Sequence, residues 1–416
     1  MTVFCALFGN ALLHLGRVVA LLLFFVAIPV FAQQPQKLTL ADALQIAERQ
    51  NLDLIAARAQ RAVASAGIKI SKERPNPTAN TNVLRDDPHS GWWIDQPIDV
   101  SGKRKRRIEL AQSESVLTDD DISALERQTR QSVRDAFFAL ALARSTSTEK
   151  QDALTLAQRL HDIAQARFQA GDVPELEVIQ AELEVSQSQA DYQVAQQEEK
   201  VAQSDLNTLL NEPPGTTWDL LTPLDQIPAG LVLSDLLASA DNASPDLQKI
   251  SQEEKVEENN RELLRAESVP NLTLSAGMDF YSPHNFRYGP RSQASMEVPI
   301  FSRNQGEVAE SSATLIALGD QERATRRAVE GHVESGYLDL QTREQQVRLY
   351  KQTLVPAADK LEELAEESYR AGKANILYVL DAQKNVQAVK LEYLQSLFAV
   401  HQAFAQLEET VGAPLD

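Results

Sequence analysis

Long stretches of the sequence contain no proline, among them Lys103 to Val173 and Ser302 to Val355. Proline removes a backbone donor and clashes with the preceding turn, so its absence over such spans permits unbroken helix. Lys103–Phe168 alone is 66 residues, which at ~1.5 Å per residue gives a rod of ~100 Å. Gly171 and Gly372 interrupt the rods, and second arms end near Leu210 and Val411. In the later arm Val379, Val386, Tyr393, Val400 and Leu407 are each seven apart, and Val178, Val185, Tyr192, Glu199 and Leu206 match them in the earlier one. That spacing predicts helical hairpins packed as in a coiled coil.

The chain is also written twice. Leu38–Leu44 matches Leu231–Leu237 at an offset of 193, Arg74–Thr78 matches Val269–Thr273 at 195, Gln96–Ile98 matches Val298–Ile300 at 202, and Arg167–Gly171 matches Ser368–Gly372 at 201. Four matches in one order with drifting offsets mean two copies of one unit. The expected division is a first repeat over 33–212, a connector over 213–230 and a second repeat over 231–416. Each repeat opens with a short capped helix, with Thr39 or Ser234 as N-cap. A longer helix follows, through Ala41–Glu73 and about Asp246–Glu267, stopped by Pro75 and Pro77 or by Pro270. Hairpins over 103–211 and 302–411 complete the units. The connector's prolines and glycines with Trp218 predict a small packed belt.

Between helices lie paired segments of alternating character, about 78–98 and 271–299. Leu272, Leu274, Ala276, Met278 and Phe280 share one face, and Thr273, Ser275, Gly277, Asp279 and Tyr281 the other. Thr78–Leu84 and Trp92–Ile98 alternate more weakly, and both pairs enclose turn chemistry. Strands of this length suffice to cross an outer membrane at a tilt. Four strands cannot close, and an open edge in lipid leaves backbone groups unpaired at several kcal/mol each. Closure needs other subunits; two copies supply 8 strands, and three supply 12 with a wider lumen.

Val18–Ile28 is an apolar run of 11 residues after Arg17, too short for the ~20 residues of a spanning helix. With Pro29–Ala32 it reads as an export signal over 1–32, cleaved before Gln33. Cleavage removes Cys5, the only cysteine, so the exported chain has no disulfide or thiolate site. No other segment approaches transmembrane-helix length, so any crossing is made by strands. The 59 acidic and 40 basic residues give a net charge of −19, which argues against a nucleic-acid partner. With 16 glycines and 18 prolines in 416 residues, turn-rich all-β, collagen-like and disordered classes are excluded.

Leu38–Leu44, Gln96–Arg104, Val298–Gly306 and Tyr369–Gly372 with Val379–Asp381, in that order, resemble the TolC family of outer-membrane efflux ducts over Leu38–Leu415. The Lys-Arg run after the first strand pair and Arg303–Gly306 after the second are most similar to the CzcC-type branch, which serves resistance-nodulation-division (RND) pumps for heavy-metal cations. Ser101 stands where that branch has a glycine. The resemblance implies a mainly α fold with a small β part: a homotrimer with a 12-stranded transmembrane β-barrel in the outer membrane, continued by a periplasmic α-barrel. It implies passive conduction with no cofactor, and as partners a periplasmic adaptor, an inner-membrane RND-type pump and outer-membrane lipid. The turns Arg167–Glu175 and Tyr369–Leu377 should dock the adaptor, with Arg167, Gly171 and Gly372 at their tips. Asp381 matches an acidic position of the constriction. Tyr378 stands where some relatives have a second acid, and Ala374 at the TolC gate base, which points to a latch using Arg370 or Lys373 beside Tyr369.

Other constellations carry less. Lys103 and Arg104 open a basic run to Arg107 at a helix start, where it opposes the macrodipole and needs compensation or lipid head groups. Trp92 and Trp93 point to opposite faces of a strand, one of them suited equally to the membrane interface or to packing inside the barrel mouth. His89 and His284 sit in matching turns and read first as ordinary loop residues, with six imidazoles at a trimer's outer mouth assisting metal release as the alternative; His161, His332 and His401 lack metal-ligand spacing. Glu362, Glu363, Glu366 and Glu367 read as a solvated helix face. No phosphate-binding, metalloprotease or nucleophile-elbow motif occurs, so no catalytic residue and no metal ligand is expected. Metal cations are the expected cargo, with organic compounds or secreted peptides as the alternative; a periplasmic coiled-coil scaffold is the rival reading.

Overall fold

The computed structural model describes residues 36–86, 88–228, 230–282 and 286–415. The expected signal over 1–32, with Cys5, and His284 lie outside the described residues. The first repeat comprises β1 (Gln36–Leu38), α1 (Leu40–Gln50), α2 (Leu52–Ser71), β2 (Thr78–Val83), β3 (Ser90–Ile98), α3 (Lys103–Gln169) and α4 (Glu175–Leu210). After β4 (Trp218–Leu220) come α5 (Leu233–Ala243), α6 (Pro245–Glu267), β5 (Leu272–Ser282), β6 (Phe286–Met296), α7 (Gln305–Leu349), a π-helical turn (Tyr350–Leu354), α8 (Val355–Arg370) and α9 (Ile376–Val411).

Thr39 caps α1 in a capping box with Asp42, satisfying two otherwise orphan donors. The single long helix expected over Ala41–Glu73 is two helices. At Asn51 the backbone turns extended (φ −59°, ψ 126°), and its side chain accepts from Asp53 and Leu54 N–H to start α2. Asparagine competes with helix through this local bonding. Ser234 is not a cap: α5 begins after Val232 with no side-chain cap, and the Ser234 hydroxyl bonds Asp235 instead. The rod α3 runs 67 residues unbroken. Its counterpart passes Pro356 by a π-turn in which Val355 N–H reaches back to Tyr350 O, because an ordinary turn has no room for the ring.

The sheet is antiparallel with order β2-β3-β5-β6, so β2 and β6 are its two edges. Strand β6 stops at Met296, short of the 299 expected for the second pair. Helices follow the same order. Near the sheet α2, α3, α6 and α7 lie side by side, and toward the hairpin turns α4, α3, α9 and α8. Thus α2 continues edge β2, and α7 continues edge β6. The heptad residues Val379, Val386, Val400 and Leu407 are buried, Tyr393 half so.

Most of the core sits midway along the rods, where the connector straps the helices. Trp218 is buried and donates to Asn207 Oδ1 at 2.7 Å, while Asn207 donates to Thr216 O at 2.9 Å. The parallel pair β1–β4 joins the first repeat to this strap. Leu38, Phe137, Phe138, Leu206, Leu210, Val400, Phe404 and Leu407 fill the space beneath. His401 stacks on Phe138 with centroids 3.5 Å apart and shares a hydrogen bond with Leu224 O at 2.8 Å. Burial pushes its pKa down to about 4.

Candidate functional site

Both hairpin turns end at one place. After α3 the chain reverses through Gly171 (φ 82°), and after α8 through Gly372 (φ 71°), left-handed conformations that suit glycine. Pro174 then starts α4 and Asn375 caps α9 by accepting from Tyr378 N–H. Leu156, Leu160, Ala164, Ala181, Ile376, Val379 and Leu380 form a separate apolar cluster there, with Tyr369 sealed inside it. The Arg167 guanidinium lies 4.9 Å from the Tyr369 ring centroid and donates to Tyr369 O at 3.3 Å. The Tyr369 hydroxyl donates to Glu177 at 3.3 Å. Burial, then the nearby Glu177 charge, raises the phenol pKa. Arginine over an aromatic face is favourable by ~0.5–2 kcal/mol.

The residues proposed for the constriction therefore separate. Tyr369 is buried within the protomer and lines no surface, whereas Tyr378, 56% exposed, and Asp381 sit three apart on the open face of α9. Asp381 is bonded only weakly, from Asn385 at 3.5 Å. Arg370 is held by Glu366 at 2.7 Å, which also meets Arg159 at 3.4 Å; Lys373 is exposed. Glu362 and Glu366 are not the solvated face expected of them: Glu362 binds Lys390 at 3.0 Å, so both acids bridge to neighbouring helices. Glu177, Arg159 and Lys390 escaped sequence reasoning because their partners lie 28 to 207 residues away.

At the other end the register divides the sheet into two faces. Ala79, Trp92, Ile94, Ile98, Leu272, Leu274, Ala276, Met278, Ala294 and Met296 share one. Asn80, Asn82, Trp93, Asp95, Ser275, Asp279, Arg291 and Gln293 share the other. Apolar outside and polar inside is the pattern of a membrane barrel. Trp92 is half-exposed on the apolar face. Trp93 is on the polar face, with the Arg291 guanidinium 4.2 Å from its ring centroid.

The junction below the sheet holds the basic run. Lys103 is only 7% exposed and donates to Asn271 Oδ1 at 2.7 Å, so it is withdrawn from any head group. Arg104 donates to Lys72 O, Arg106 pairs with Glu109 and Glu262, and Arg107 with Asp99. These partners supply the compensation that a basic helix start requires. Ser101 (φ 61°) and Asn304 (φ 55°) take the same left-handed conformation in the two repeats. Both reach α6: Ser101 Oγ donates to Ala266 O at 2.9 Å and Asn304 Nδ2 to Leu264 O at 3.3 Å. Among the described residues no cluster of three or more His, Cys, Asp or Glu could hold a metal, and no helix is long and apolar enough to cross a membrane.

Known proteins share this architecture. The chain is 26% identical over 393 residues to the cobalt-zinc-cadmium resistance protein CzcC of Cupriavidus metallidurans, spanning 92% of this chain and 93% of that one. The crystal structure of CusC superposes with a TM-score of 0.73 at 18% identity, covering 90% and 92% of the two chains. The open state of the Neisseria gonorrhoeae MtrE outer membrane channel gives 0.72 at 17%, covering 91% and 89%. The outer membrane efflux protein profile matches twice, over residues 43–212 and 236–413, once in each repeat. With two profile matches, an amphipathic four-stranded sheet and paired helical rods, the chain belongs to the outer membrane efflux protein family.

Proposed function

We propose that three copies of this chain form the outer-membrane duct of a tripartite efflux system. Exported by the signal over 1–32, they conduct cargo passively from an inner-membrane RND-type pump and a periplasmic adaptor. The observation that carries this is the open sheet. Among the described residues edges β2 and β6 are unpaired in one chain, and each is continued by an edge helix in the same order. Joining β6 to a neighbour's β2 and α7 to its α2 closes strands and helices together, which removes the cost of open edges in lipid. Heavy-metal cations are the cargo, as the similarity to CzcC suggests. The hairpin turns dock the adaptor, and Asp381 lines the constriction, where three symmetry-related carboxylates favour cations.

Fractionation tests the assembly: a heat-resistant trimer in the outer membrane is expected, and a soluble periplasmic monomer, as a scaffold would give, sinks it. Deletion of the gene tests the cargo. Sensitivity to zinc, cobalt or cadmium is expected; unchanged metal sensitivity with new drug sensitivity selects organic compounds instead.

A further inference from the structure

The polar face of the sheet carries an arrangement that a gate at the hairpin turns does not use. Trp93, Gly277 and Arg291 stand opposite one another on β3, β5 and β6. A Cβ at Gly277 would lie 2.1 Å from Trp92 O and 2.5 Å from Trp93 Cβ, so no side chain fits between them. Arg291 crosses that gap and lies over the Trp93 ring. Its Nη1 comes within 3.8 Å of Asp279 Oδ1. One rung outward, a Cβ on Gly91 would lie 2.5 Å from that same Oδ1, so the carboxylate is folded flat across Gly91. Charges that would otherwise project from the wall are laid along it.

One rung inward Asp95 is bonded by Asn80 at 2.7 Å and by the Ser275 hydroxyl. Arg287 stands on the same face toward the turn. Among the described residues each chain thus offers two carboxylates and two guanidinium groups on this face, and Arg291 is the guanidinium that an ion pair places beside a carboxylate. A ring of unmatched carboxylates at an exit binds divalent cations, and conduction requires sites weak enough to leave. A guanidinium held beside Asp279 competes for the same oxygen atoms at any salt concentration, because it is tethered.

We propose that Arg291 is a built-in counter-cation of the exit, held by Trp93 over Gly277, which prevents Asp279 from retaining cations that the duct releases. This rests on the reading of the polar face as the lumen wall of the trimer. Loss of Arg291 leaves Asp279 unmatched three times around the ring. A unit charge about 10 Å from an ion in water changes its local concentration about twofold, more at low salt.

The test uses the purified trimer in planar bilayers, with zinc chloride as the only metal. Arg291→Gln is expected to raise the potassium-to-chloride permeability ratio about twofold or more at low salt and to make the potassium current sensitive to zinc that leaves the original duct unaffected. Arg291→Lys should keep the original behaviour, and adding Asp279→Asn to Arg291→Gln should restore it. A parallel arm places single cysteines at Gln293 and Ser292, Cys5 being the chain's only cysteine. An impermeant thiol reagent should label position 293 and spare 292. Labelling at 293 with no change in selectivity or zinc block in heat-resistant Arg291→Gln trimers overturns the counter-cation role alone. Labelling at 292 but not 293 overturns the lumen reading and the proposal with it.

Discussion

Arg167 caps the ring of Tyr369 from 4.9 Å while bonding that residue's own carbonyl oxygen. The turn of the first hairpin therefore grips the last turn of the second. Tyr369 is completely buried, so this contact ties the two tips of a protomer together.

Removing the grip should loosen the tip that we propose closes the channel. Arg167→Ala loses a cation–π contact and a hydrogen bond, together about 1–2 kcal/mol. Tyr369→Phe loses only the bond to Glu177, about 1 kcal/mol. Single-channel recordings should show higher open probability in both, more in Arg167→Ala; equal or unaltered gating argues against a latch at this contact.

Asp381→Asn should lower cation selectivity. Its carboxylate is exposed on α9 and receives a single long bond from Asn385, so its charge is not spent on a partner. Reversal potentials across a potassium chloride gradient should move toward zero, and an unmoved potential removes Asp381 from the filter. Tyr378→Phe, one turn away, should leave the potential unaltered.

His401 gives the midsection a pH dependence that can be isolated. Its folded pKa, about 4, lies below the ordinary 6.5, because burial and then the Arg134 charge disfavour the imidazolium. Stability from this group is present above pH 6.5 and is lost as pH falls toward 4. Asp135 acts in reverse: burial raises it from 3.8 to about 6, so acidification through the same window favours the folded state. In the original chain these two contributions oppose each other across that window. His401→Gln should gain on it by about 2–3 kcal/mol between pH 7 and 4, and Asp135→Asn should lose ground. Thermal unfolding in detergent against pH measures both, and parallel curves defeat the assignment.

Leu176, Ile179, Leu183, Val194 and Val201 form an exposed apolar stripe along α4, and Val194 and Val201 face a groove that Phe398 and Gln402 of α9 also line. Leu183→Glu with Val194→Glu should leave the helical content and the fold of the chain unchanged while abolishing the heat-resistant trimer. A burial of about 1.5–3 kcal/mol per side chain is replaced by two buried charges at each of three interfaces. A trimer that survives the double substitution places the interface elsewhere.

Much of this molecule could be read in one dimension. Period two in Leu272–Phe280, heptads in Val379–Leu407 and proline at the ends of helices are local, and local rules act on residues close in sequence. The doubling of the chain was legible for the same reason. Details that depend on competition escaped: Asn51 outbids a continuous helix, Ser234 bonds its neighbour instead of capping, and Pro356 is absorbed by a π-turn.

The sequence by itself determined the rods, the strands, their order and the faces they present, because periodicity dictates which side chains share a face. Only the tertiary structure decided what each face meets. Lys103 was turned inward by Asn271, Trp93 was claimed by Arg291 across a glycine gap, and Tyr369 was sealed under Arg167 while Asp381 stayed open. Each outcome depends on partners distant in the chain or on another strand. A charge or ring is committed or free according to what stands within a few ångströms, and that is fixed when the helices and strands assemble.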